Sequence, residues 1–533
     1  MRPFQSVFTR TTRTFRNQGG FLIVALFLLS STAFSQVLGS ISGTVRDPSA
    51  AAVPAAAVTV TNGETGQARS VVTDEHGYYR ALSLPVGRYN VKIEKPGFRI
   101  VTKVGIDLVV AQDAVIDIDM QIGKSEEHVQ VDAQAPAVNV ATSSIAGLVG
   151  ERAVKELPLN GRSFDNLITL NPGTANTTIN RSSTSTGAGQ GNNFSISGNR
   201  EDYNLFLLNG IEYTGVSTAD VIPGGLSGQL LGVDAVREFN VVQNTYGAEY
   251  GKRPGGQVSL VTMSGTNGFH GTLFEFVRNS AFDARNFFDH TTSPAPFKRN
   301  QFGGSAGGPI KKDRTFIFGN YEGFRQRLAV SQLAVVPDDN ARKGILTLPN
   351  GSLSNIGLAA GIAPYFSLWP EPNSGELGGG AALFYGNPAQ SVREDFGNIR
   401  VDHYFNHGDV LSGVYTIDDG TSINPGSTAF QVSNSQLRSQ IASLQETHTF
   451  TPRLINTLRA GFTRAKWLMD AAPPINDPSL SFVQGQPIGN INIGAIGLGQ
   501  LGSIAGAGTN GSQQYDNIAR NLSGTRNPRA GAK

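Results

Sequence analysis

The chain has 533 residues, 64 of them glycine, with 16% charged residues and a formal net charge of +2. This composition favours strands and turns over helical bundles, and the scattered basic residues form no stripe that would hold nucleic acid. Cysteine is absent, which excludes disulfides, thiolate metal sites and thiol nucleophiles.

Arg2, Arg10, Arg13 and Arg16 precede the apolar run from Phe21 to Leu29, and Ala33-Phe34-Ser35 precedes Gln36. A positive start, a short apolar run and a small-x-small site describe a secretory signal peptide over residues 1–35, cleaved between Ser35 and Gln36. The run is about half the ~20 residues a spanning helix needs, and the missing arginine pair favours the general export route. No other long apolar stretch follows. An exported chain of this kind either stays soluble or crosses a membrane as β-strands.

Residues 36–123 alternate in short runs. Ile41, Gly43 and Val45 alternate with polar neighbours, Val58 to Thr61 ends at Asn62-Gly63, and Tyr89, Val91 and Ile93 alternate until Pro96-Gly97. Roughly seven short strands separated by hairpin signals predict a β-sandwich. Gly43-Thr-Val-Arg-Asp47, Gly77-Tyr-Tyr79, Leu84-Pro-Val-Gly-Arg-Tyr89 and Pro96-Gly-Phe98 resemble the carboxypeptidase regulatory-like module, a transthyretin-like or starch-binding-like sandwich. The resemblance implies no peptidase, and His76, the only histidine of the module, cannot make a zinc site. Tyr78, Tyr79 and Tyr89 read either as a sugar-stacking platform or as core aromatics.

A polar break from Gly123 to His128 leads into Val129-Gln-Val-Asp-Ala133, a short extended segment. Glu151 to Leu157 reads as a short helix stopped by Pro158. Leu159-Asn-Gly-Arg-Ser-Phe164, Leu170-Asn-Pro-Gly173, Ser197-Gly-Asn-Arg200, Leu208-Asn-Gly210, Val236-Arg-Glu-Phe239 and Gln257 to Thr262 resemble, in this order, the plug of an outer-membrane TonB-dependent receptor of the Oar-like branch. The resemblance places the plug at residues 124–266 and makes Val129, Gln130, Val131, Asp132 and Ala133 a candidate TonB box. Such a box is extended backbone that a TonB-type inner-membrane energy-coupling protein pairs with and pulls. The same residues read equally as the plug's first strand. Arg200, Asp202, Glu212, Arg237 and Glu238 are candidate ion pairs between plug and barrel, because a plug inside a polar lumen can be locked to the wall by paired charges. The Ser/Thr/Asn/Gly-rich residues 173–193 cannot bury enough apolar surface to order themselves and are expected to form a mobile plug loop.

From residue 267 to 533 alternating runs of about ten residues recur, such as Ile399, Val401, His403 and Phe405 against Asn398, Arg400, Asp402 and Tyr404. One segment of this kind fits any half-exposed strand, but the repetition fits a membrane barrel. Phe274 to Ser280, Asn300 to Gly304, Gly307 to Arg314 and Phe316 to Gly323 resemble the opening strands of an Oar-like barrel. That family closes about 22 strands, whereas residues after Gly268 offer roughly seven to ten at the usual span. We therefore expect a truncated product that lacks roughly several hundred residues at the usual strand-plus-loop length. Residues 328–393 read as an extracellular loop with Trp369 as a candidate ligand contact.

Gly497-Leu-Gly-Gln-Leu-Gly502 spells a dinucleotide fingerprint without a βαβ context, and His403 and His407 have a metal-like spacing on a strand pattern without the adjacent glutamate of a zincin. Neither carries chemistry, so no catalytic residue, metal or cofactor is expected. The expected fold is mostly β: an N-terminal β-sandwich, an α+β plug domain and an incomplete transmembrane β-barrel. The expected function is import of an extracellular ligand (glycan, peptide or metal chelate) across the outer membrane, in contact with outer-membrane lipid and a TonB-type partner, with the sandwich in the periplasm. A secreted β-rich carbohydrate-binding or adhesion protein is the competing expectation.

Overall fold

The computed structural model describes residues 38–123, 128–132, 145–178, 192–213, 223–244, 251–285, 293–329, 332–348, 350–405, 408–425, 432–451, 454–472, 477–486, 488–493, 504–508 and 513–527. The expected signal peptide and cleavage site, Ala133, most of the 173–193 loop, His407 and the Gly497–Gly502 motif lie outside these residues.

The sandwich is built from β1 (Gly39–Arg46), β2 (Ala57–Asn62), β3 (Ala68–Val72), β4 (Tyr78–Leu84), β5 (Gly87–Glu94), β6 (Ile100–Leu108), β7 (Asp113–Val115) and β8 (Ile118–Asp119). One sheet runs β4-β1-β7, with β8 also on β1, and the other runs β3-β2-β5-β6. Alternation in the sequence puts Val58, Val60, Val91 and Ile93 on the inner face, where each is fully buried. Tyr79 and Tyr89 are buried in the same core, their hydroxyls donating to the carbonyls of Ile116 and Pro85. Two of the three tyrosines considered for sugar stacking are therefore core residues, and Tyr78 alone of them is exposed.

The fifth strand of the second sheet is β9 (His128–Asp132), which pairs parallel to β6 with Val101 opposite Val129 and Val104 opposite Asp132. Val129 to Asp132 of the candidate TonB box are thus extended. They belong to the sandwich sheet, which corrects the alternative that made them the plug's first strand.

The plug carries a five-stranded mixed sheet of β10 (Ile145–Val149), β13 (Leu205–Leu208), β14 (Ile211–Glu212), β15 (Val236–Asn244) and β16 (Gln257–Thr262), with the small hairpin β11 (Thr174–Asn176) and β12 (Phe194–Ile196) beside it. The order is β10-β15-β16-β13-β14, and only β13 and β16 run parallel. Helix α1 (Glu151–Glu156) starts with Glu151 in its first turn and ends with Lys155 in its last, which suits the helix dipole. It stops before Pro158, which disfavours helical backbone in the residue ahead of it.

The wall starts with β17 (His270–Asn279), β18 (Phe297–Lys311) and β19 (Thr315–Ala329). A long connection then forms its own small sheets from β20 (Gln332–Pro337), β21 (Ile345–Thr347), β22 (Leu353–Asn355), β23 (Glu376–Gly378) and β24 (Ala381–Gly386). The wall resumes with β25 (Ala389–Tyr404), β26 (Asp409–Pro425), β27 (Val432–Thr451) and β28 (Leu454–Ala472). After the short pair β29 (Asn490–Ile493) and β30 (Ile504–Gly508) it ends with β31 (Gln513–Asn527). These eight wall strands form one antiparallel meander, β17-β18-β19-β25-β26-β27-β28-β31. Among the described residues neither edge strand finds a further partner, so the barrel wall is open.

The two faces of the wall differ as a lipid-facing barrel requires. Outward residues include Leu273, Ile399, Val401, Leu444 and Leu458, all exposed, and Phe269, Phe405 and Phe450 form an aromatic row at the short-turn end. Asp395 lies ten positions from Phe405, which is about 25 Å of height at a rise near 3.3 Å and a tilt near 40°. At that level an outward ion-pair row begins, with Arg325 on Asp395 at 2.7 Å and Arg438 on Asp419 at 2.7 Å. Apolar belt, aromatic row and charged row together match one leaflet-to-leaflet span.

Candidate functional site

The concave face of the wall is filled by the plug. Leu226, Leu231 and Ala235 of the plug pack against Phe324, Val392, Phe396, Leu437, Ala465, Trp467 and Met469 of the wall, and Ile441 of β27 enters the plug's own core. Trp467 is only 1% exposed. Burial of this kind supplies most of the adhesion, roughly 25 cal/mol per Å² of apolar surface, and polar contacts set the register.

Those polar contacts converge on the plug segment from Gly225 to Asp234. Glu394 of β25 accepts from the N–H of Ser227 at 2.5 Å, and Glu322 of β19 accepts from the N–H of Gly232 at 3.0 Å. Gly225 leaves room for the first of these, since a Cβ there would lie 1.7 Å from Glu394 Oε1. Arg162 binds Asp234 at 2.6 Å, stands 3.5 Å from Glu322 and lies 3.8 Å over the Phe274 ring. Gln301 donates both to Glu322 at 2.6 Å and to the carbonyl of Gly161 at 3.2 Å. Lower on the wall, Arg400 pairs with Asp402 at 2.9 Å and donates to the carbonyl of Thr262 at 3.0 Å. Glu322 and Glu394 have side chains with no exposed surface, so each contact is made away from water, where an unmatched charge is costly.

The expected plug–barrel ion pairs fall elsewhere. Glu212 pairs within the plug, with Arg253 at 2.8 Å and with Lys252. Arg237 and Glu238 lie next to each other on β15 and point toward the sandwich: Arg237 forms two bonds with Glu64, at 2.8 and 2.9 Å, and Glu238 accepts from the N–H of Val110 at 2.5 Å. Asp202 offers its backbone carbonyl to Arg253 at 3.1 Å, and Arg200 precedes a short 3-10 turn. A charge on a plug strand can face any of three bodies, and the sequence does not say which. Arg162, which does reach the wall through Glu322 and Phe274, stands in the Leu159–Phe164 motif that marked the plug.

Glu238 is itself a pH-sensitive joint. Burial raises its pKa to about 7, against the opposing effects of the Val110 N–H and of Arg237, while Glu151 and Asp107 add to the rise. Because the folded value exceeds the unfolded one, the contribution is fully present below about pH 4.5 and is lost as pH rises through about 7. The change amounts to roughly 3 kcal/mol in total. Denaturant melting across that window should show declining stability in the wild type and a flattened profile in Glu238→Gln. An unchanged slope in the variant would assign the dependence to another group.

Trp369 is corrected from ligand contact to loop core. It is 3% exposed and packs with Ala334, Val336, Leu368, Leu480 and Ile488, which joins the two long connections into one cap. Its ring has no free face in this arrangement. Accessible aromatic surface lies at Phe482, which stacks on Tyr365 at 5.7 Å. His403 bonds Thr315 at 2.9 Å within the wall. The sequence reading missed one group among the described residues, Asp409, Glu446 and His448, whose potential ligand atoms lie within 4.8 Å of one another. Two of these three, His448 and Asp409, already bond each other.

The architecture is that of a plugged outer-membrane barrel. The model of the outer membrane beta barrel domain matches residues 261–528, half of the chain, and the chain belongs to that family. A carboxypeptidase regulatory-like domain matches residues 40–121. Over 322 residues the chain is 27% identical to the TonB-dependent transporter Oar of Myxococcus xanthus, which covers 57% of this chain and 28% of that protein. The chain thus spans less than a third of that relative's length. Similar solved structures include the outer membrane transporter YddB from Escherichia coli, at 12% identity and TM-score 0.43 over 70% of this chain and 44% of that one. Another is the ferripyoverdine receptor of Pseudomonas aeruginosa, at 12% identity and TM-score 0.39 over 76% and 54%.

Proposed function

We propose that this protein is a TonB-dependent receptor that takes an extracellular ligand through the outer membrane by moving its plug. The observation that carries this reading is the plug segment Gly225–Asp234 held inside a lipid-facing wall by buried but separable contacts to Glu322 and Glu394. Such contacts hold a closed state and can be broken one at a time under load. A permanent structural core would have no need of buried charge there.

In this reading the short turns and the sandwich face the periplasm, and the cap formed by residues 332–386 and 477–493 faces outward and meets the ligand. β9 is the segment that the energy-coupling protein engages, and its outer edge, unpaired among the described residues, offers backbone for strand addition. The expected domain limits that go with it, 1–35, 36–123, 124–266 and 267–533, shift at one border, because β9 (His128–Asp132) completes the sandwich sheet beyond residue 123. The reading assigns the chain transport and not catalysis, in keeping with the TonB-dependent transporter it resembles.

Cell fractionation tests the reading. Outer-membrane extracts should contain the protein, with migration on gels that shifts on heating, as a folded barrel does. Recovery in a salt-soluble fraction would refute import and favour the secreted adhesin.

A further inference from the structure

The sandwich touches the plug and the short-turn rim of the wall at once. Toward the plug it presents Glu64 to Arg237 and Val110 to Glu238, and Val110 and Val261 bury each other beside Val86. Toward the rim, Gln67 donates to the carbonyl of Asp313 in the β18–β19 turn, and Arg69 reaches Thr449 at the end of β27, at 3.4 Å. The Glu64 carbonyl also accepts from the N–H of Asn267 at 2.9 Å, just ahead of the first wall strand. The hairpin between β2 and β3 therefore reaches across the mouth of the wall. Its tip fits closely: Gly66 has φ +73°, and a Cβ there would lie 2.6 Å from Asp313 Oδ1.

Above this hairpin lies a cavity of about 100 Å³ between sandwich, plug and wall, lined by Arg69, Tyr89, Asn209, Arg400, Tyr404 and Ser443 among others. A solute moving down the inner face of β25 to β27 meets the sandwich before it meets the periplasm. β9 is a strand of the same sandwich sheet, hydrogen-bonded along β6. Tension on β9 is consequently carried into the sandwich sheet through β6.

We infer that the sandwich is a lid on the exit of the barrel, latched by the Glu64–Arg237 pair and lifted by tension on β9. The inference rests on the reading of β9 as the pulled segment. It makes the module a second gate, placed between the plug and the periplasm.

Because the native chain has no cysteine, Ser443→Cys gives a single reporter inside the cavity, read by the rate of maleimide labelling in whole cells. De-energised cells should label slowly. Adding Glu64→Gln with Arg237→Gln should speed labelling at least roughly tenfold without energy, as the loss of a half-buried bidentate pair predicts. Energised cells should label faster than de-energised ones, and Val131→Pro should remove that gain. Equal labelling of the reporter with and without the latch substitutions would overturn the lid. A gain from the latch substitutions with none from energy would overturn release by tension. Capture of the energy-coupling protein by β9 in those same cells would then show that the pulled-segment reading survives the failure of the lid.

Discussion

Replacing Arg162 by alanine should loosen the plug more than any other single polar change. Arg162 sits between Asp234 and Glu322, whose side chains are 8% and 0% exposed. Its removal leaves two carboxylates facing each other away from water, at a cost of about 3–5 kcal/mol. The stacking of its guanidinium on Phe274 adds a smaller loss. Trp467 reports the event because it is buried in the plug–wall core, so its emission should change when the plug leaves the wall. In a Trp369→Phe background, the urea midpoint of Trp467 fluorescence should fall well below that of the parent. Arg162→Lys should fall between the two, keeping the charge but losing the planar fork and the stack. A midpoint that does not move in Arg162→Ala would mean that the apolar face alone holds the plug.

The second large effect concerns β9. Val131→Pro removes a backbone N–H and fixes φ in a strand whose use depends on main-chain pairing. Capture of the receptor by the C-terminal domain of a TonB-type coupling protein should drop by an order of magnitude or more, roughly the loss of two or three strand hydrogen bonds. Val131→Thr keeps the backbone and should retain capture. Full capture by the proline variant would move the box to another segment. The sandwich itself should stay folded in Val131→Pro, because β9 is its edge strand and its core residues all lie in Ile41 to Met120.

Both effects were half visible in the chain. The extended character of Val129 to Asp132 is written in its alternation, and the Leu159–Phe164 motif flagged the stretch that contains Arg162. The partner of each was not visible, because the contacts join residues far apart in sequence. Arg162 meets Glu322 at 160 positions' distance, and nothing local to either residue encodes that approach. The five charges singled out as plug–barrel pairs show the same gap. Arg237 and Glu212 do form ion pairs, yet Arg237 and Glu238 meet the sandwich and Glu212 meets its own domain. The long connection from residue 330 to 388 shows a second kind of miss. Its glycines and prolines read as loop, but Val336, Leu368 and Trp369 find enough apolar neighbours on the 477–493 connection to form a core.

What the sequence determined by itself was set by short-range physics. Period-two alternation marked the strands, Gly and Asn turns marked their ends, the lack of cysteine removed whole classes of chemistry, and the order of motifs named the three parts. What only the tertiary structure decided was which surfaces meet: β9 on β6, the sandwich across the mouth, and the Gly225–Asp234 segment on Glu322 and Glu394. Alternation says that a side chain is buried, because burial depends on the face of a strand. It cannot say against what, because several faces of similar polarity compete and only the packed whole selects among them.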